Sequence, residues 1–253
     1  MLFVLAFGNG VGAEPARRLD PTSLLAAQQP RSNPDFLFSR PRGSVSLKGT
    51  WFLARADSDV FDFVEQQLTV DRRDFNAPGL ATSIAIAITP WIDTEFGLDF
   101  SRASTASEYR HFFDQNRVPI TQDTRLTNVD LSARVRVALL PRGREVSRLV
   151  WIPRPVVPYI GAGAGYLWYE FRQTGDFVDF VDRSIFTTTL RSSGWTPSAH
   201  VFVGTDVKLY RRLFVEIEGR YMWAHAQLRG DFLGFDPIDL SGTRLTAGVS
   251  YLF

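Results

Sequence analysis

The sequence predicts an all-β chain, eight antiparallel strands running up and down around a closed barrel. Three observations predict it. Apolar and polar residues alternate with period two over long segments, which sorts side chains onto the two faces of a strand. There is room for about eight such segments. The connections between them alternate between short and long, so one rim would carry tight turns and the other long loops.

The segments follow in order after a different kind of N-terminus. "MLFVLAFGNGVGAEP" has a short apolar core at Leu2 to Phe7, with Val11 and Ala13 at the −3 and −1 places of a cleavage site after Ala13. Residues 1–13 therefore resemble a secretory signal or its remnant. No Lys or Arg precedes the apolar core, so the alternatives of a start further upstream or a buried strand stay open. Residues 14–42 are rich in Pro and Arg. Pro15, Pro21, Pro30, Pro34 and Pro41 oppose regular structure there, and a flexible segment with one helical turn near 23–28 is expected.

The barrel is expected over 43–253. Strands are expected at 45–56 and 80–88. In "IDTEFGLDF" Ile92, Thr94, Phe96, Leu98 and Phe100 share one face, while Asp93, Glu95, Gly97 and Asp99 share the other. "VDLSARVRVAL" sets Val129, Leu131, Ala133, Val135 and Val137 against Asp130, Ser132, Arg134 and Arg136. A strand at 157–171 contains "YIGAGAGY", where Gly161, Gly163 and Gly165 leave one face bare. "VFVGTDVKL" and "LFVEIEGRYMW" supply the next two, and 243–253 closes the set. Short links fall at "TPWI" and "YRR", with a longer one at 141–155. Long loops are expected at 57–78, 101–124, 173–194 and 224–239. In the first of these, Val60, Phe61, Val64 and Leu68 recur at helical spacing after Ser58, a candidate N-cap. This predicts a short helix over 59–68.

Alternation alone does not say what the apolar face meets. A soluble barrel would turn it inward. The aromatic residues argue for lipid. Trp91, Tyr159, Tyr210 and Phe253 stand beside the short turns, and Phe100, Trp168, Tyr221 and Trp223 beside the long loops. Two such belts are expected at the two interfaces of a bilayer. No run of about 18 apolar residues exists, so a spanning helix is excluded and strands must do the crossing. The charged face then points into the barrel. Its members are Lys48, Asp93, Glu95, Asp99, Asp130, Arg134, Arg136, Asp206, Lys208, Glu216, Glu218, Arg220 and Arg244. Buried charges need partners, so a salt-bridged plug is expected rather than an open channel.

The chain stops at "TAGVSYLF". Thr246, Gly248, Tyr251 and Phe253 match in order the pattern of the C-terminal sorting signal of bacterial outer-membrane barrels. With the strand pattern, residues 43–253 resemble the small outer-membrane barrels of the OmpA, OmpX and OmpW kind. The resemblance implies short periplasmic turns, long extracellular loops and a place in the bacterial outer membrane. It also implies contact with lipid and lipopolysaccharide, and assembly by the barrel-assembly machinery.

Chemistry is sparse. Zero cysteines exclude disulfides, thiolate metal sites and cysteine nucleophiles. A net charge of +1 gives no reason to expect nucleic acid. His111, His200 and His225 lack metal-ligand spacing. "SAHVF" and "AHAQL" do not match the His-x-Ser pair of lipid-modifying barrels, so no catalytic residue, metal or cofactor is assigned and an enzyme is the remote alternative. Three loops share an Asp/Phe phrase: "SDVFDFVE", "GDFVDFVD" and "GDFLGFDPID". Shared loop packing and Asp-capped turns account for it. A second reading has Asp176, Asp179, Asp182, Asp231, Asp236 and Asp239 bind Ca²⁺ or bridge lipopolysaccharide through divalent cations. A third has Phe177, Phe180, Phe232 and Phe235 line a vestibule for a small apolar ligand. The expected function is passive transport of small molecules, hydrophobic ones among them. The alternative is a structural or surface-interaction barrel acting through its loops.

Overall fold

The computed structural model describes residues 36–114, 117–148, 150–179 and 184–253. The signal-like segment, most of 14–42, Phe180 and Asp182 lie outside these residues. The strands are β1 (Gly43–Ala54), β2 (Ala77–Ala87), β3 (Ile92–Phe113), β4 (Pro119–Ala138), β5 (Gly143–Ser147), β6 (Val150–Pro153), β7 (Val156–Val178), β8 (Ile185–Tyr210), β9 (Leu213–Ala226), β10 (Ile238–Asp239) and β11 (Gly242–Leu252). One helix, α1 (Asp59–Gln67), lies between β1 and β2.

Eight of the strands form a ring in the order β1, β2, β3, β4, β7, β8, β9, β11. All pairings are antiparallel, and β11 bonds both β9 and β1. Closure leaves no edge strand in the wall. The alternation is why these segments are strands, and it settles their faces. Leu47, Ile84, Phe96, Leu131, Val203, Ile217 and Leu245 point out and are exposed, whereas Lys48, Glu95, Arg134, Glu218 and Arg244 point in and are buried.

The β2–β3 and β8–β9 turns are short, as expected. The 139–155 link holds the separate hairpin β5–β6, whose Trp151 is buried and bridges Leu37 through paired backbone bonds of 2.8 and 3.0 Å. Two of the expected long loops are largely strand. β3 runs on to Phe113 and β4 starts at Pro119, with Arg102 through Glu108 paired to Thr127 through Thr121. Likewise β7 reaches Val178 and β8 starts at Ile185. The Ser/Thr-rich composition of these stretches reads as loop, yet Thr favours strands and each arm satisfies the backbone of the other. At 22, 20, 23 and 26 residues, β3, β4, β7 and β8 exceed the roughly 9–11 residues a bilayer needs. They stand beyond the wall at the long-loop end.

The barrel is filled in two layers. Near the long-loop end the filling is apolar: Phe52, Phe61, Val64, Leu126, Leu167, Phe171, Met222, Phe232 and Leu240 belong to one buried cluster. Helix α1 contributes Val60, Phe61 and Val64 to it. Phe61 meets Phe75 edge-on at 4.7 Å and Phe171 at 6.0 Å. Towards the short turns the filling is ionic.

Candidate functional site: the filled lumen and the loop-end pocket

The ionic layer is built from inward positions of β1, β3, β4, β8, β9 and β11. Its notable property is that direct neighbours on the sheet often carry like charges. Asp99 stands opposite Asp130, Asp206 opposite Glu216, and Arg220 opposite Arg244. Such pairs repel, and partners from elsewhere in the ring relieve them. Arg220 on β9 reaches Asp99 on β3, four strands away round the ring, at 2.8 Å, and holds Glu218 at 2.9 Å. Arg244 also faces Asp99, at 3.3 Å. Arg134 bonds Glu95 at 2.7 Å and approaches Glu218 at 3.6 Å. Lys48 bonds Glu216 at 2.7 Å. Arg136 pairs with Asp206, and Arg142, from the link below, pairs with Asp93.

Arg134 needs space to lie flat, and glycine supplies it. A Cβ on Gly97 would sit 2.4 Å from the Arg134 guanidinium, and one on Gly163 would sit 2.6 Å from its Cγ. With Arg134, Glu218 and Arg244 each only about 2% exposed and ion-paired, the lumen is closed at their level.

Lys208 sits half-buried at the short-turn rim. Asp130 is engaged differently: it accepts from Ser198 at 2.7 Å and faces His200 Nε2 at 3.3 Å. Sequence reading missed Ser198, whose only signal was its parity with His200. The three residues do not form a relay of the serine-hydrolase kind. The Ser198 hydroxyl donates to Asp130, and the same His200 nitrogen faces both partners.

One aromatic assignment is corrected. Tyr159 is not in a belt; it is buried inside the barrel, and its hydroxyl lies 3.1 Å from both Glu216 and Glu218. It has the parity of Gly161 and Gly163, so the period of β7 sends it inward. Trp91, Tyr210 and Phe253 are exposed at the short-turn end, and Phe100 and Trp223 are exposed on the wall. Trp168 and Tyr221 are half-buried there. Trp51 and Trp195 join the outer surface; neither was assigned to a belt from the sequence, and Trp195 lay between the loop expected at 173–194 and the strand expected from Val201. Thr246 is buried inward, opposite Glu218, and Tyr251 is exposed outward.

Above the ionic layer lies a pocket of about 220 Å³. Phe63, Val64, Leu68, Tyr109, Phe177, Phe186, Phe232 and Phe235 supply most of its wall, with Gln67, Gln122, Gln173 and Asp231 as the polar members. Three of the four vestibule residues are thus brought together, and Phe180 lies outside the described residues. The loop carboxylates serve the protein itself. Asp231 accepts from the Arg191 amide at 2.9 Å, Asp239 from the Ser241 amide at 2.9 Å, and Asp176 from the Thr187 hydroxyl. Among the described residues no group of three His, Asp or Glu side chains is placed to hold a metal ion.

A closed antiparallel ring with apolar side chains outside and paired charges inside is built for lipid, since closure satisfies every wall backbone group without water. The chain forms a small membrane-spanning β-barrel. No protein-family model and no curated protein matches it. Solved structures similar to it include outer membrane protein OprG from Pseudomonas aeruginosa, at 9% identity and a TM-score of 0.47, covering 87% of this chain and 99% of that one. Neisserial surface protein A matches at 14% and 0.43, covering 83% and 97%. A major outer membrane protein from Thermus thermophilus matches at 11% and 0.46, covering 83% and 99%. At such identities and TM-scores these likenesses carry no argument, and the class rests on the geometry of the barrel itself.

Proposed function

We propose that this barrel takes up small apolar molecules passively, and that the loop-end pocket is where such a molecule first binds. The long-loop end then faces the cell exterior and the short turns the periplasm, as in barrels of this class. The observation that carries the reading is a pocket of about 220 Å³, walled mainly by Phe, Leu and Val, directly above a lumen sealed by ion pairs. A solute bound there has no path down the axis, so it leaves sideways into the bilayer. The protein acts without catalysis, and the barrel-assembly machinery inserts it. The test is calorimetric titration of the folded protein in detergent with ethylbenzene, paired with planar-bilayer recording. Saturable binding that weakens in Phe232→Ala, with no conductance steps, is expected. Absence of saturable binding sinks the reading, and discrete steps sink the sealed-lumen part of it.

A second reading has one specific observation in its favour. The projecting hairpins and the last loop expose Phe113, Phe186 and Leu233, the last at 75%. Apolar side chains held out in this way suit contact with another surface. A Phe113→Ser, Leu233→Ser double variant that keeps ethylbenzene binding but loses attachment to host-cell or bacterial surfaces would favour it.

A further inference from the structure

We propose that a row of arginines on the outer face of the wall, near the long-loop end, holds the phosphate groups of a lipopolysaccharide molecule seated against the barrel. The inference does not use the pocket; it rests on the proposed function only for the orientation, with the long-loop end at the cell exterior. Arg125 on β4 stands directly opposite Arg172 on β7, and Arg172 directly opposite Arg191 on β8. Arg102 on β3 pairs with Thr127, two residues along β4 from Arg125. Four guanidinium groups thus line four consecutive strands of the ring. The row has the outward parity of Val129, Trp168 and Trp195, while Leu126, Phe171 and Ser192 beside it are buried inward.

Like charges directly opposite repel, and the protein relieves them only in part. Two carboxylates adjoin the row. Glu170 holds Arg191 at 2.5 Å, and Asp123 lies 3.7 Å from Arg125 while accepting from the Ser104 hydroxyl at 3.1 Å. Arg102 donates to the Thr127 hydroxyl at 3.2 Å. Arg172, in the middle, has no ion pair or side-chain hydrogen bond among the described residues. Inside the barrel such neighbours are relieved by partners across the lumen; outside the wall there is no opposite strand to supply one. An anion from outside can, and guanidinium forks suit phosphate oxygens taken two at a time.

Height and width narrow the anion. Arg172 and Arg191 lie four residues beyond Trp168 and Trp195, themselves a cross-strand pair. That is about 13 Å along a strand, or about 10 Å along the bilayer normal at a tilt of about 40°. The headgroup layer is about 5–8 Å deep, and long arginine side chains reach back into it. Neighbouring strands are about 4.8 Å apart, so the row spans about 14 Å. A single phospholipid phosphate fills a fraction of that width, whereas the lipid A headgroup, a disaccharide phosphorylated at both ends, spans it.

The test titrates the full folded chain, in one zwitterionic detergent at one salt concentration, with four probes. They are bisphosphorylated lipid A, the same lipid without phosphates, its deacylated phosphorylated disaccharide, and phosphatidylglycerol. Tryptophan fluorescence reads binding, since Trp168 and Trp195 lie below the row. The bisphosphorylated lipid is expected to bind at least about ten-fold tighter than the other three. In an Arg125→Gln, Arg172→Gln, Arg191→Gln variant that preference should fall close to one. An Arg144→Gln, Arg154→Gln variant, which removes exposed arginines from the link at the short-turn end, should keep it. Arg172→Gln alone loses no bond within the protein, so it stands in if the triple variant fails to fold, and it should weaken the preference several-fold. Equal binding with and without phosphates overturns the inference and leaves the apolar pocket untouched. A deacylated disaccharide that binds as tightly as the lipid makes the occupant a soluble polyanion, and equal binding of phosphatidylglycerol makes it any phosphate lipid; either result overturns the assignment to lipopolysaccharide. A preference that survives intact in the folded arginine variants overturns the role of the row.

Discussion

Arg220 shows how much a single inward residue carries. Its guanidinium holds Asp99 at 2.8 Å and Glu218 at 2.9 Å, and all three side chains are 1% exposed or less. Breaking a buried pair leaves charge behind, so Arg220→Leu should lower stability by about 3–5 kcal/mol. Urea unfolding in lipid vesicles measures this; a loss under about 1 kcal/mol would mean that water, not Arg220, neutralises the carboxylates. Gly163 is the complementary case. A Cβ there meets the Ala133 carbonyl at 2.5 Å as well as Arg134. Backbone cannot swing aside, so Gly163→Val should slow refolding and lower the yield of barrel that resists unfolding by detergent on electrophoresis. Normal yield and rate would show that the wall yields at this strand. The bare face of β7 was legible as three alternating glycines. That it makes way for Arg134 was not, because Gly163 and Arg134 pair only once β4 and β7 are in register.

At the scale of the element, α1 was visible in sequence as Val60, Phe61 and Val64 at helical spacing. Its anchoring was not. Ser58 occupies the N-cap position, but its side chain makes no cap bond; its hydroxyl instead accepts from the Asp239 amide at 3.3 Å. Asp59, the first helical residue, accepts from the Asp236 amide at 2.9 Å. The helix is thus tied to a loop some 180 residues later in the chain. Phe61 is its main apolar anchor, 1% exposed among Phe75 and Phe171. Phe61→Ala should cost about 3–5 kcal/mol if α1 folds with the barrel. Amide exchange distinguishes that from local release: protection lost in α1 alone, with the wall unchanged, would show that the helix is an independent lid.

Over the whole molecule, the inside-out arrangement makes the sharpest prediction. Ile217 is exposed on the wall, and Glu218, one residue on, is buried in the ionic layer. Ile217→Arg should therefore cost about 2–4 kcal/mol near the bilayer midplane, read by refolding titration into vesicles. A variant as stable as the parent would reverse the assignment of faces. The closed lumen belongs to this scale too: charges from strands on opposite sides of the ring meet across it, and Arg220 with Asp99 shows how far apart in the wall such partners begin.

Parity is a local property, so sequence alone determined which side chains share a face and where the short turns fall, while the direction of the charged face came from the placing of the aromatic residues and not from parity. A strand repeats every two residues whatever surrounds it. Partner choice is not local. Cross-strand neighbours such as Asp99 and Asp130 look incompatible until the ring closes and brings Arg220 and Arg244 across to one of them, and Ser198 and His200 to the other. Closure also decided that the Tyr159 hydroxyl has two carboxylates to meet. The extended hairpins of β3–β4 and β7–β8 likewise exist because each polar arm finds its pair. The pocket is the furthest from the sequence. Its wall draws on α1, β3, β4, β7, β8 and the last loop, and no spacing along the chain encodes a cavity that appears only when they converge.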